Sequence, residues 1–493
     1  MFFHRIANRL KEMFLHNRSM RQTVFKNFFW LSFGQIAGRF IRAAIIIYAA
    51  RALGAAEYGV FSYALSLAAF FAVFSDVGVN SILTKEISRN PEKEQEYFST
   101  AFWLKAFLVG VSALAVIFLA PYFSKIEGAK ILMPIIALLI IFDNFRDFSL
   151  AFFRAKEKME GEAFISIVTN LLITVSGFVI LYYFATAKAL TFSYVLSSGA
   201  GLIIAFFILR KRILKVVSHF DKSLLKPIIN SALPIALVAT FSAFLINIDM
   251  LMLGWIGTSM DVGLYAAPQK IVQFLSIFPG IIASTVFPVI SRLIGQNEKE
   301  KIKSIAERTI TAVMIAAFPI AVGGVVLGKS IIGFIFGNEY IAATLAFQIL
   351  IVTVLASFPS PFFSNLILAY DKQKRLVGYT IGFSLLNVVL NALLIKRFGI
   401  AGASFATLVS TFLLTGALWY IMKEINRLNL LRHLGKIAIT SILMGFLAFF
   451  LDRVGIQVIA NIIISGGVYL LLLHLFKENT LNELKMIVKS VKL

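Results

Sequence analysis

The stretch NFFWLSFGQIAGRFIRAAIIIYAARALGAAEYG, residues 27–59, is apolar for long enough to cross a bilayer, yet it carries Arg39 and Arg42 in its middle. At a rise of about 1.5 Å per residue, a helix over residues 28–50 spans roughly the 30 Å hydrocarbon thickness, with Arg39 near its midpoint. Two arginines at that depth cost about 5–7 kcal/mol on insertion scales, and such residues face a bundle interior or a wet cavity, not lipid. Gln35, Arg39 and Arg42 stand at i, i+4 and i+7, so one helix face carries all three. That face reads as an anion-binding wall, its guanidinium forks suited to phosphate oxygens.

The rest of the chain agrees with a membrane protein. Of 493 residues 59% are hydrophobic and 15% charged, with a mean hydropathy of +0.86, which excludes an ordinary soluble domain. There is no cysteine, hence no disulfide framework or thiolate metal site. Fourteen apolar segments of spanning length follow one another, at about 28–50, 58–82, 97–119, 131–153, 161–184, 189–209, 228–253, 262–290, 308–328, 341–369, 376–395, 400–422, 436–451 and 456–476. The expectation is an all-α polytopic protein of about fourteen transmembrane helices. Residues 1–27 read as a basic, amphipathic, interfacial tail without a cleavage site.

The net charge of +22 raises the possibility of nucleic acid as a partner, and charge placement answers it. Alternate connections hold 34 and 8 lysines and arginines, with Arg39, Arg42, Lys105, Arg146 and Lys270 inside the apolar segments. So strong a bias places both termini in the cytoplasm and explains the basic balance without nucleic acid.

The chain also echoes itself. LGAAEYGVFSYA (residues 53–64) joins the first helix pair, and IGTSMDVGLYAA (256–267) joins the seventh and eighth, about 204 residues later. A second echo pairs RAKEKMEGEA (154–163) with AYDKQKRLVG (369–378). Six helices separate the copies, so they share an orientation, as in transporters built from parallel halves with a site between them. The expected organisation is a six-helix lobe at 28–210, a basic linker at 211–227, a second six-helix lobe at 228–423, two further helices within 436–476 and a cytoplasmic tail at 477–493.

Here the sequence resembles a known family. RALGAAEYGVFSYALSLAAFFAVFSDVGVNSILTKEISR (51–89), with Gly54, Glu57, Gly59, Asp76 and Gly78 in register, is similar to the N-terminal signature of the polysaccharide biosynthesis proteins. These are the oligosaccharide flippases of the multidrug/oligosaccharidyl-lipid/polysaccharide exporter superfamily. INIDMLMLGWIGTSMDVGLYAAPQKI (246–271) resembles the start of their second half. The resemblance implies two lobes around a central cavity, two extra C-terminal helices, and alternating-access transfer of polyprenyl-(pyro)phosphate-linked oligosaccharides at the cell membrane. A lipid-linked oligosaccharide, membrane lipids, a coupling proton or sodium ion and glycan-assembly enzymes are then the expected partners, and no cofactor is expected.

Moving an anionic head group requires cations facing a wet interior. Lys270, flanked by Gln269 and Gln273 in the eighth segment, is the counterpart of the arginines in the second half, with pairing to Asp249 as its structural alternative. Asp143, Arg146 and Asp147 are spaced for a local ion-pair cluster, or for gating and ion coupling. Asp76 reads as a helix-end acceptor or a proton carrier. Lys105 reads as a side chain that snorkels to the interface. Prolines at 234, 279, 288, 319, 359 and 361 mark bends in the second half.

GGVVLGKS (323–330) fits a phosphate-loop pattern, but it closes an apolar helix instead of following a strand. The histidines are scattered, and no nucleophile–base arrangement stands out. Two competing readings remain. A cation-coupled drug exporter of the same superfamily would favour buried carboxylates over buried arginines. A membrane glycosyltransferase or polymerase would carry a large catalytic loop, whereas the longest connection here is about 19 residues.

Overall fold

The computed structural model describes residues 20–425 and 431–476. The expected amphipathic tail up to residue 19 and the C-terminal tail from 477 lie outside the described residues. All regular structure among the described residues is helical, and eleven helices are long and apolar enough to cross a membrane. Two of these are 51 and 53 residues long. This accounts for part of the difference from the fourteen expected, because each contains two expected spans joined through a glycine. Gly54 (φ 72°) bends α1, Met20–Ala72, and Gly399 (φ 54°) bends a second 53-residue helix, Gln373–Ile425. Positive φ costs an L-residue with a Cβ but not glycine.

The chain divides into two units, residues up to Gly263 and residues from Leu264. In the first, α1 is followed by α2 (Val79–Arg89), α3 (Glu94–Phe118), α4 (Glu127–Ala155), α5 (Met159–Tyr183), α6 (Ala187–Ile208) and α7 (Leu225–Ile256). The expected span 58–82 is interrupted. After Ala72 come a short 3-10 turn and two successive residues at positive φ, Val77 (44°) and Gly78 (79°). A β-branched residue there costs about 1–3 kcal/mol. The break turns Asp76 off the helix, where it accepts the Asn80 N–H (3.3 Å).

Large side chains such as Phe107, Tyr182 and Phe207 point outward at 68%, 76% and 68% exposure, as a lipid-facing surface requires. Inside, Phe98 packs on Phe148 and Phe152 at 5.2 Å between ring centroids in both pairs. Between apolar helices in lipid, such packing and interhelical hydrogen bonds replace the hydrophobic effect as the source of cohesion.

The second unit contains α8 (Ser259–Leu275, whose first five residues close the first unit), α9 (Ile277–Gly295), α10 (Lys299–Val326), α11 (Gly328–Phe336), α12 (Thr344–Val352), α13 (Ser360–Ala369), α14 (Gln373–Ile425), α15 (Leu431–Arg453) and α16 (Val458–Leu475). The last two helices pack on α10 through Ile315, Ile437, Met444 and Leu473. Tyr469 donates to the Ile315 carbonyl (2.7 Å) and buried Asn461 to that of Ala448 (2.9 Å). Pattern 323–330 runs helix into helix, and its Ser330 donates to Asp452 (2.7 Å).

The second sequence echo has a backbone counterpart. Glu157 (φ 55°) and Asp371 (φ 56°) each end a helix in the left-handed region. The next N–H reaches back five residues in both, Lys158 to Phe153 (3.0 Å) and Lys372 to Ile367 (3.1 Å). Both are the six-to-one bond of a Schellman ending.

Candidate functional site

Two glycines on α1 build the site's floor. A Cβ on Gly34 would sit 2.9 Å from Cα of Ala163, and one on Gly38 would sit 2.8 Å from Nδ2 of Asn170. Gly34 therefore lets α1 and α5 approach closely at the backbone, and Gly38 one turn on makes room for the Asn170 side chain, small residues serving the helix contact as they commonly do in membranes. Beside this contact lies a cavity of about 210 Å³, lined among others by Gln35, Arg39, Arg42, Glu162, Ser166 and Asn170. Three of the expected site residues thus share one cavity.

Its electrostatics follow from which charges are already paired. Glu162 is a carboxylate in the lining, and Arg154 grips it with two hydrogen bonds, Nε at 2.8 Å and Nη2 at 2.5 Å. Arg39 is exposed to the cavity and makes no ion pair among the described residues. The Arg42 guanidinium carbon lies 5.9 Å from the Tyr194 ring centroid, a cation–π contact, while its Nε is buried with no hydrogen-bond partner. A buried N–H left unmade costs about 1–3 kcal/mol, more when charged. The cavity thus presents cationic donors with capacity to spare.

Lys270 and Gln273 belong to the second unit, where Nζ lies 3.4 Å from Oε1. Neighbouring Gln269 is buried with an unpartnered Oε1. Asp249 is buried on α7 at 3% exposure.

Asp143, Arg146 and Asp147 form the local cluster their spacing allowed. Arg146 reaches Asp143 at 2.7 Å and Asp147 at 3.0 Å, and Ser198 on α6 donates to Asp143. Lys105 does not snorkel. Its side chain is wholly buried and binds Asp76 at 2.7 Å, because the break after Ala72 brings a carboxylate within reach and removes the need for water. Ser75 donates to Asn144 (2.6 Å), tying this pair to the α4 cluster. Sequence reasoning also passed over Asn170 and Glu162, which share the arginines' cavity, and Tyr194, which meets Arg42, all three brought there only through packing. The one available signal was Gly34/Gly38, which marks a face where another helix must come close.

Among the described residues no group of three His, Asp or Glu side chains could hold a metal ion. Known proteins similar to this chain identify its family. The family model described as "Polysaccharide biosynthesis protein" matches residues 24–294. The chain belongs to the polysaccharide biosynthesis protein family. A second model, MatE, matches residues 234–393. As a member of the family, the chain is 25% identical over 372 residues to the probable low-salt glycan biosynthesis flippase Agl15 of Haloferax volcanii, covering 74% of this chain and 76% of that one. Its fold is similar to that of the lipid II flippase MurJ, a structure described as an inward closed conformation, with TM-score 0.76, 16% identity and coverage of 91% and 98%. An inward-facing multidrug MATE transporter superposes less well, at TM-score 0.61, 16% identity and coverage of 80% and 94%.

Proposed function

We propose that this family member is a flippase that moves lipid-linked oligosaccharides from the inner to the outer leaflet by alternating access. Arg39, Arg42 and Gln35 receive the (pyro)phosphate on the first lobe (28–210), with Lys270 and Gln273 contributing from the second (228–423). The observation that carries the reading is that Arg39 and Arg42 line one cavity, Arg39 exposed and without an ion pair among the described residues, while the cavity's Glu162 is already occupied by Arg154. Such a site has donors in excess and is completed by an anion. The flippase name of Agl15 and the flippase name of the structural neighbour support the same activity.

With both termini inside, a head group of charge −2 carried outward gains about 4–5 kcal/mol per 100 mV of inside-negative potential, from about 2.3 kcal/mol per charge. Asp76, Asp143, Arg146, Asp147 and Asp249 serve gating or coupling to a proton or sodium ion. The cluster around Lys105 and Arg146 holds three carboxylates against two cations, leaving one negative charge for such an ion. Arg39→Ala/Arg42→Ala in proteoliposomes tests the mechanism. Loss of lipid-linked oligosaccharide transfer with unchanged melting is the expected result, and full activity in the double variant removes it.

A cation-coupled multidrug exporter is the second reading, favoured by the MatE match and the MATE-like fold. The sign of the cavity charge stands against it, since cationic drugs would meet two arginines.

A further inference from the structure

A second cavity in the first unit, about 250 Å³, shares no residue with the arginine site and has a different chemistry. All its lining side chains are apolar or aromatic, among them Tyr63, Leu67 and Phe71 of α1, Phe123 of the α3–α4 connection, and Met252 and Trp255 of α7. Its walls are held in place. The Tyr63 hydroxyl donates to the Phe123 carbonyl (3.1 Å), and the Tyr63 ring lies so close to Gly254 that a Cβ there would stand 2.1 Å from it.

At the edge of this crevice, exposed Lys125 places Nζ 5.3 Å from the Trp255 ring centroid and makes no ion pair among the described residues. The α3–α4 connection lies on the outer face by the charge bias, and tryptophan beside lysine is the composition of a membrane–water interface. An apolar slot that opens at headgroup depth under a free ammonium is complementary to one class of molecule, a hydrocarbon chain that ends in phosphate.

We propose that the crevice is an outer-leaflet subsite for the carrier lipid, with the first isoprenoid units packed among Leu67, Phe71 and Met252 and the phosphate held by Lys125. The inference rests on the flippase reading and adds to it the place where the carrier sits after its head group has crossed. Aromatic walls favour a branched, unsaturated chain, and the ammonium distinguishes a phosphate from an alcohol.

Trp255 supplies the readout. Purified full-length protein in detergent is titrated with farnesyl phosphate while tryptophan fluorescence is followed, and Trp255→Phe identifies the signal from this site. The expected result is a saturable, Trp255-dependent change. It weakens about tenfold in Lys125→Gln and with farnesol in place of farnesyl phosphate, the scale of one charge-assisted contact. It is lost when Leu67→Phe fills the slot, with melting and gel filtration confirming a folded protein. It persists in Arg39→Ala/Arg42→Ala, so failure of transfer and failure of this subsite are read separately. Absence of a Trp255-dependent signal overturns the proposal, and so does equal binding of dioleoyl phosphatidylglycerol, which would make the slot an ordinary bilayer-lipid contact.

Discussion

Gly59 and Gly263, 204 positions apart, cross each other reciprocally. A Cβ on Gly59 would lie 1.7 Å from the Ser259 carbonyl oxygen, and one on Gly263 would lie 1.8 Å from that of Ala55. Ala55 and Ser259 are themselves 204 positions apart, so residues of one copy of the repeated turn meet the mates of their own partners. This is the signature of a local two-fold relation. The first sequence echo is therefore a contact as well as a similarity.

Substitution at the crossing is expected to separate the two backbones. Gly59→Ala or Gly263→Ala costs about 1–3 kcal/mol through overpacking against a carbonyl that cannot rotate away. Gly110→Ala, whose Cβ meets nothing within 4 Å, is expected to be neutral or stabilising by about 0.5–1 kcal/mol. Thermal melting in detergent compares the three, and equal shifts would contradict a close crossing.

The Asp76–Lys105 pair is asymmetric, with the lysine side chain wholly buried and the aspartate 35% exposed. Asp76→Asn strands a buried ammonium and is expected to cost about 3–5 kcal/mol, whereas Lys105→Met leaves a carboxylate that water can reach and costs less. Asp76→Asn/Lys105→Met should recover part of the larger loss. Strict additivity in this cycle would show that the two groups do not interact.

Arg154 keeps Glu162 from neutralising the arginine cavity. Arg154→Gln is expected to release that carboxylate toward Arg39 and Arg42 and to slow oligosaccharide transfer about tenfold, the cost of one competing charge contact. Adding Glu162→Gln should restore most of the rate in proteoliposomes. A double variant as slow as the single one would assign Arg154 a different role.

Glu57, part of the signature at residues 51–89, accepts the Ala187 N–H at the start of α6 (2.8 Å), adding to the cap from Thr186, whose hydroxyl oxygen accepts the Ala189 N–H (3.2 Å). Glu57→Ala is expected to lower stability by about 0.5–2 kcal/mol, the value of a helix cap, with little change in substrate affinity. A selective loss of affinity with unchanged melting would move Glu57 into the substrate path.

The amino-acid sequence by itself determined that the chain is helical and membrane-spanning, that Gln35, Arg39 and Arg42 share a face, that Asp143, Arg146 and Asp147 form a cluster, and that the chain repeats. The first three are properties of hydropathy or of helical period within one stretch, and the repeat is a likeness between two stretches, so all survive without knowledge of neighbours. Only the tertiary structure decided that Glu162 is taken by Arg154, that Arg42 is left with an unpartnered donor beside Tyr194, and that Lys105 turns inward to Asp76. The same holds for the meeting of Gly59 with the Ser259 backbone. These outcomes depend on which helices touch, and in an apolar chain almost every helix face is compatible with burial, so composition cannot choose among partners. Packing at small residues makes that choice, as Gly34 and Gly38 do for α5.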